Sequence, residues 1–556
     1  MTTDIARPDA TAEHTADEAF AELLFSPEGL ADPFSRYHRL REAAPVHRTS
    51  MGTWVLTRYD DVDEFLRSKL VNKDIQVYMA GRFSGDWEQH QALRKLAANM
   101  LWTNPPEHTR LRRIANRAFT EKRVNEHRAF IERRFDELIE PLAAAGGGDI
   151  CNDVCFPLAL SVVANLIGVP QEEAPLLRDK IRDFQRTFEP GMTATELRKA
   201  DEAAKFLDDY FADHVRGKQR RPGDDLVSAL IDTEDEGERL GFDELVQMCH
   251  MIIAAGSETT TFFMTNGIRL FAEHPDQADL VRADPSLLDR AREEVLRYMP
   301  SAHMIPRTTT APVRVGGVEI PAGARVMVWI AAANRDPERY PDPDRFDILR
   351  AGQPAPLAYG LGTHFCLGWR LANLQAQVVF SSLLTRFSRL EITEPLRHRA
   401  RVAFPQLESL RIRFHEHPAE RPAPSGSTVR FLSEEYLAEL EALAPAKQPE
   451  IPHVNVRVQF HVTDTPEGQV DYHLLIRRGV IVKAGRGVIG DSDLAITGTY
   501  RDLVDFQAGE LHAATAFVTG QFRVTGDKAK LLELMLVLQS GYYHQFVADL
   551  WAKTSW

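Results

Sequence analysis

From about residue 30 to 415, apolar positions recur with a period near 3.6, which predicts a mostly helical body. Two stretches within it, "TWVLTR" and "VRVGGVEIPAGARVMVW", shift toward alternation and read as short strands. Beyond residue 428 the pattern changes. "VNVRVQFHV" alternates strictly, with Val454, Val456, Val458, Phe460 and Val462 on one side and polar residues on the other, as in a half-buried strand. "DYHLLIRRG", "VIVKAG" and "LAITGTY" are further strand candidates, while "SEEYLAELEAL", "RDLVDFQAGEL" and "KAKLLELMLVLQSG" read as helices. Between the two regimes, "HEHPAERPAPSGST" carries three prolines with Ser and Gly and reads as a linker. The polar, acidic opening reads as a disordered lead. The expected organisation is a lead at 1–20, a large domain at 21–415, a linker at 416–428 and a second, α+β domain at 429–556.

Composition narrows the classes of function. A formal net charge of −14 over 556 residues argues against nucleic acid or an anionic membrane as partner. The most apolar run, "FPLALSVVANLIGVP", is too short to span a bilayer and carries Asn165, so no membrane span is expected. The N-terminus has neither the signature of a signal peptide nor that of an anchor, and a cytoplasmic location is expected. The four cysteines give no disulfide framework and no paired metal spacing. Cys151, Cys155 and Cys249 read as small buried hydrophobes.

Cys366 is different. It stands in "YGLGTHFCLG", where Gly360, Gly362 and Gly368 allow backbone to approach a flat object closely. A helix starting near Leu367 would set its positive end beside the thiol and lower its pKa. A second anomaly lies in a helix expected from Asp243 to His274, about 48 Å long at ~1.5 Å per residue. Its flanks are apolar nearly all round, yet its middle is "AAGSETTT". Gly256 costs about 1 kcal/mol relative to Ala in a helix, and a buried Glu258 is expensive unless paired or used. Ala255, Gly256 and Thr259 share one face, leaving room for a ligand, and the Thr259 hydroxyl can bond back to a carbonyl and open the helix. Local choices that conflict with the fold tend to mark function.

The cysteine loop resembles the haem-ligand loop of cytochromes P450: an aromatic, Gly-x-Gly, a basic residue and Cys-x-Gly. Tyr359 stands where Phe is usual, and Trp369 is bulkier than the common small residue. The resemblance implies a mainly α haem-thiolate cytochrome P450 fold with small β-sheets, with haem b as cofactor and Cys366 as the iron ligand. A thiolate ligand of haem iron favours O–O cleavage. "AGSET" resembles the family's oxygen-activation motif, which implies that Thr259 holds a proton-donating water and that Glu258 gates proton delivery. His108 and Arg112 in "PPEHTRLRR", Arg307 in "MIPRTTT" and His364 match the family's propionate partners. Glu294 and Arg297, three apart on a helix, would form a buried pair completed by Arg345. By position in the family, Met100, Ile252, Met304 and Phe404 would line the substrate pocket.

Arg110, Arg113 and Arg117 fall on one face of the helix bearing Arg112; they read either as a solvated cationic face or as a docking patch for an acidic electron donor. No flavin or iron–sulfur motif is present, so the resemblance implies an external ferredoxin and ferredoxin reductase. Residues 429–556 resemble the sterol carrier protein type 2 domain, which implies an apolar tunnel and a lipid-like ligand. The aromatics of "SGYYHQFVADLW" would close that tunnel, form a docking surface or simply pack the core. The implied activity is insertion of oxygen from O2 into a hydrophobic small molecule, of the secondary-metabolite kind, with the second domain binding or presenting a hydrophobic ligand. Oxidative coupling or desaturation is the alternative, with the second domain as a protein-docking or self-association module.

Overall fold

The computed structural model describes residues 10–80, 87–189, 192–399, 401–416, 429–448, 450–508, 511, 513–538, 540–551 and 553–555. These fall into two compact units, 10–416 and 429–555. The first is helical with small sheets. Helix Phe242–Glu273 runs through its core, close to the expected bounds, and packs against Phe156–Leu166 on one side and Trp369–Arg386 on another. Two glycines make these approaches possible. A Cβ on Gly256 would lie 2.9 Å from Val163 Cγ2, and one on Gly267 would clash with the Phe380 ring at its Cζ. Gly256 therefore serves helix packing as well as leaving room in the cavity.

A five-stranded sheet, in the order Val46–Arg48, Trp54–Leu56, Arg325–Val328, Ile305–Thr309 and Val71–Asn72, flanks the helical body. It is antiparallel except where Trp54–Leu56 meets Arg325–Val328. This pairing matters for the site because it carries Val71–Asn72, and the residue after it, to the strand that bears Arg307. A second small sheet pairs Arg397–Arg399 with Gln406–Ser409.

The opening departs from expectation. Residues 10–20, assigned above to a disordered lead, belong to helix Ala10–Phe25, which buries Ala16, Ala19, Phe20 and Leu23. The spacing i, i+3, i+4, i+7 was in the sequence, masked by the acidic residues on the other face. Of the expected linker, residues 417–428 lie outside the described residues, and Glu416 is the last residue of strand Arg411–Glu416.

The second unit is α+β. Its sheet runs Val480–Arg486, Gly468–Arg477, Asn455–Thr465, Leu494–Thr499, Arg523–Gly526, with only the Asn455–Thr465/Leu494–Thr499 pair parallel. Val454, Val456, Val458, Phe460 and Val462 are all buried, as the alternation requires. Helices Glu434–Lys447, Tyr500–Gln507 and Lys528–Leu538 pack on the sheet. The interior is filled rather than hollow. Phe460 stacks on Tyr472 with ring centroids 4.5 Å apart, Phe431 meets Tyr436 edge-on at 5.0 Å, and Tyr543 and Phe546 from the C-terminal helix are buried. The cavity they leave is about 20 Å³, room for roughly one water. That is far less room than the apolar tunnel the resemblance implies, and the aromatic rings of Phe460, Tyr472, Phe431 and Tyr436 line it.

Candidate active site

The first unit contains a cavity of about 340 Å³ that joins the two sequence anomalies. Cys366 and the backbone of its loop line one side, and Ala255, Gly256, Glu258 and Thr259 of the long helix line another. The loop follows from its residues. Gly360 and Gly362 both take φ of 68°, and a Cβ on Gly362 would sit 2.6 Å from the Leu66 carbonyl oxygen. The Cys366 amide donates to the Tyr359 carbonyl at 2.9 Å, closing the turn. Helix Trp369–Arg386 begins after Gly368, so the N–H groups of Gly368 and Trp369 point at the Cys366 sulfur. The expected lowering of the thiol pKa is outweighed: burial raises it, against the opposing pull of those N–H groups and the Arg112 guanidinium. The other three cysteines are buried, with Cys151 pushed up to about 11 and Cys249 to about 12 by burial, as inert thiols are.

Several observations bear on whether a haem fits. His108, Arg112, Arg307 and His364 all line the cavity, and the His108 and His364 rings stand 4.2 Å apart. Burial and neighbouring cations hold His108 down to about 4 and press His364 well below the usual histidine range, and burial brings Arg307 to about 10. No carboxylate among the described residues pairs with Arg112 or Arg307. A buried set of cations without counter-charge is costly unless an anionic group belongs among them. A Cβ on Gly368, beside the thiol, would meet no protein atom within 4 Å. A thiol, open space against its loop and uncompensated cations together suit a flat, dianionic, iron-bearing group.

On the opposite side, the Thr259 hydroxyl donates to the Ala255 carbonyl at 2.6 Å, and the Thr259 carbonyl accepts from Ser301 Oγ at 2.8 Å. The helix nevertheless stays continuous, so the back-bond does not open it. Glu258 is buried, and its partners come from far along the chain. Its Oε2 accepts from Arg401 at 3.4 Å and Gln406 at 3.2 Å, and Oε1 lies 3.9 Å from Arg182 Nε. Burial holds the Glu258 carboxyl above its ordinary pKa, with Arg401 the largest opposing influence. Met100, Ile252, Met304 and Phe404 all line the same cavity.

Sequence reasoning missed Arg182, Arg401, Gln406 and Lys73, the last a further cation lining the cavity. No local pattern marks any of them. Two expectations are corrected. Arg345 does not complete the Glu294–Arg297 pair with its side chain, which is exposed; only its carbonyl accepts from Arg297, at 3.1 Å. The third member is instead Arg350, whose guanidinium lies 3.5 Å from Glu294, while Glu294 and Arg297 are buried at 2.7 Å from each other. The arginine face is not a free cationic patch either. Arg110 pairs with Glu244 in the first turn of the long helix, while the turn after residue 233 brings Asp235 and Glu236 to Arg113 and Asp235 to Arg117.

The cytochrome P450 family model matches residues 180–401, and the SCP-2 sterol transfer family model matches residues 437–539. Cytochrome P450 107B1 of Saccharopolyspora erythraea is 37% identical over 408 residues, covering 71% of this chain and 96% of its own length. The cytochrome P450 monooxygenase PikC of Streptomyces venezuelae is 38% identical over 371 residues, 64% of this chain and 84% of PikC. Among solved structures, P450BioI in complex with an acyl carrier protein ligated to hexadec-9Z-enoic acid superposes with a TM-score of 0.65 at 30% identity, covering 70% of this chain and all of that one. Among the described residues no helix is long and apolar enough to cross a membrane. The thiol loop, the cation-lined cavity and these relatives together identify the chain as a member of the cytochrome P450 family, the haem-iron monooxygenases, joined to a C-terminal SCP-2 family domain.

Proposed function

We propose that the protein inserts an oxygen atom from O2 into a hydrophobic secondary metabolite, with electrons from an external ferredoxin and its reductase. The observation that carries this reading is that Cys366 and the Glu258–Thr259 pair face one mainly apolar cavity. Haem iron bound to Cys366 supplies the oxygen-activating redox chemistry. The chain's own residues do the rest. His108, Arg112, Arg307 and His364 hold the propionates. Met100, Ile252, Met304 and Phe404 exclude water and seat an apolar substrate. Thr259 presents a hydroxyl at the cavity wall, and Glu258, kept at a raised pKa by burial against the pull of its basic partners, holds and passes protons.

The test has two parts. The reduced protein with CO should show the absorption of thiolate-ligated haem, and product formed under labelled O2 should carry the label. Unlabelled product would point to coupling or desaturation instead.

For the C-terminal domain, the filled interior favours docking over carriage. Docking of a partner that carries the substrate also fits a relative of the haem domain solved with an acyl carrier protein. Mass spectrometry of molecules released on denaturation, from the full chain and from a version ending near Ala419, decides this. Haem alone from both is expected; an additional apolar molecule from the full chain only would restore carriage.

A further inference from the structure

Lys73 is placed with unusual care for a lone lysine. It follows strand Val71–Asn72, whose Asn72 lies opposite Thr308, next to Arg307. Asn104 clamps its backbone from both sides, accepting from the Lys73 amide at 3.0 Å and donating to the Lys73 carbonyl at 2.8 Å. The side chain lines the haem cavity, with Nζ 5.6 Å from the centre of the Trp102 ring, and Trp102 is in turn packed at 4.3 Å on Tyr78. The stem is thus supported and the ammonium aimed inward.

No acid answers that ammonium. Among the described residues Lys73 makes no ion pair, the only charge acting on it is Arg307, and it acts on His108 and His364. Burial lowers its pKa well below the ordinary value. Lys73, Arg112 and Arg307 are therefore three cations facing one cavity without a protein counter-charge. The pairing of Asn72 with Thr308 sets Lys73 beside Arg307, and the Lys73 charge also acts on His108 and His364, so three of the four groups assigned to the propionates surround it.

We propose that Lys73 is a carboxylate-binding residue of the haem cavity, its ammonium pairing with a haem propionate and completing a basic cradle with His108, Arg112, Arg307 and His364. The proposal rests on the haem-thiolate reading. A substrate carboxylate is the other source of the same chemistry, and the experiment separates the two.

The experiment compares wild-type holoenzyme with Lys73→Met, which keeps the stem over Trp102, and Lys73→Arg, which keeps the charge. The primary readout is the rate of haemin transfer from the ferric protein to excess apomyoglobin. Loss of a charge-assisted contact predicts about tenfold faster transfer for Lys73→Met, with Lys73→Arg near wild type. Reconstitution with haem dimethyl ester, which has no free propionate, should abolish the difference between wild type and Lys73→Met. A difference that persists with the ester would overturn the proposal, as would equal transfer rates with native haem. Titration with palmitate, read by the spin-state change of the ferric spectrum, should give the same Kd in both. Unchanged haem transfer with palmitate binding weakened about tenfold would assign Lys73 to a substrate carboxylate instead. Failure of the underlying reading shows separately, as a wild type lacking thiolate-ligated haem.

Discussion

The two units treat their interiors in opposite ways. The first keeps about 340 Å³ open and lines it with cations that have no protein counter-charge, a carboxylate held above its usual pKa and a thiol. The second lines a pocket of only about 20 Å³ with its own stacked aromatic rings. Both interiors are built around apolar residues, so hydrophobicity alone does not separate a site from a core. The difference lies in uncompensated charge and unfilled space, both costly to a fold that does not use them.

The sharpest way to break the comparison is at Cys366. Cys366→Ala should abolish the thiolate-type spectrum of the reduced CO complex altogether, with the C-terminal domain's own unfolding transition unchanged. A thiolate spectrum surviving in the variant would remove the central assignment.

Next is the filled core. Phe460→Ala removes one ring of the closest stack and should cost about 3–5 kcal/mol in denaturant unfolding of the C-terminal domain. If that interior opens to hold a ligand, Phe460 gives up much of its packing already, and the loss should be below about 1 kcal/mol.

How much of this was legible follows from where the signals sit. The Cys366 loop, "AAGSETTT" and the alternation at 454–462 are local, and local pattern carried them. Lys73 sits in "LVNKDIQV", where nothing distinguishes it; only the pairing of Asn72 with Thr308, far along the chain, brings it to Arg307. Arg401 and Gln406 reach Glu258 across more than 140 residues of sequence for the same reason. Alternation told which strand face is buried in the second domain, but whether the facing rings leave a tunnel depends on side-chain volumes meeting in three dimensions.

The Glu258 cage gives a smaller, pH-dependent effect. Its pKa is raised in the fold above the ordinary carboxyl value of about 4.5, so between these two values the native state binds more protons than the unfolded state. Stability should then fall as pH rises through that window, and level off above the folded pKa. Glu258→Gln, which cannot titrate, should lack this slope, as checked by denaturant midpoints from pH 4 to 7. An identical slope in both proteins would mean that the basic cage, not burial, sets the carboxyl.

The smallest expected effect tests the corrected brace behind the cavity. Arg345 is exposed and contributes a carbonyl, which any residue supplies, so Arg345→Ala should change stability by no more than about 0.5 kcal/mol and leave haem binding unaltered. Arg350→Ala should cost more, because its guanidinium approaches buried Glu294 and also donates to the Pro341, Asp342 and Arg345 carbonyls. A reversed order, with Arg345→Ala the more damaging, would mean that the Arg345 side chain does turn inward to join Glu294 and Arg297, as the family resemblance implied. The two arginines are five residues apart on the same stretch, so their contrast isolates which guanidinium stands behind the haem cavity.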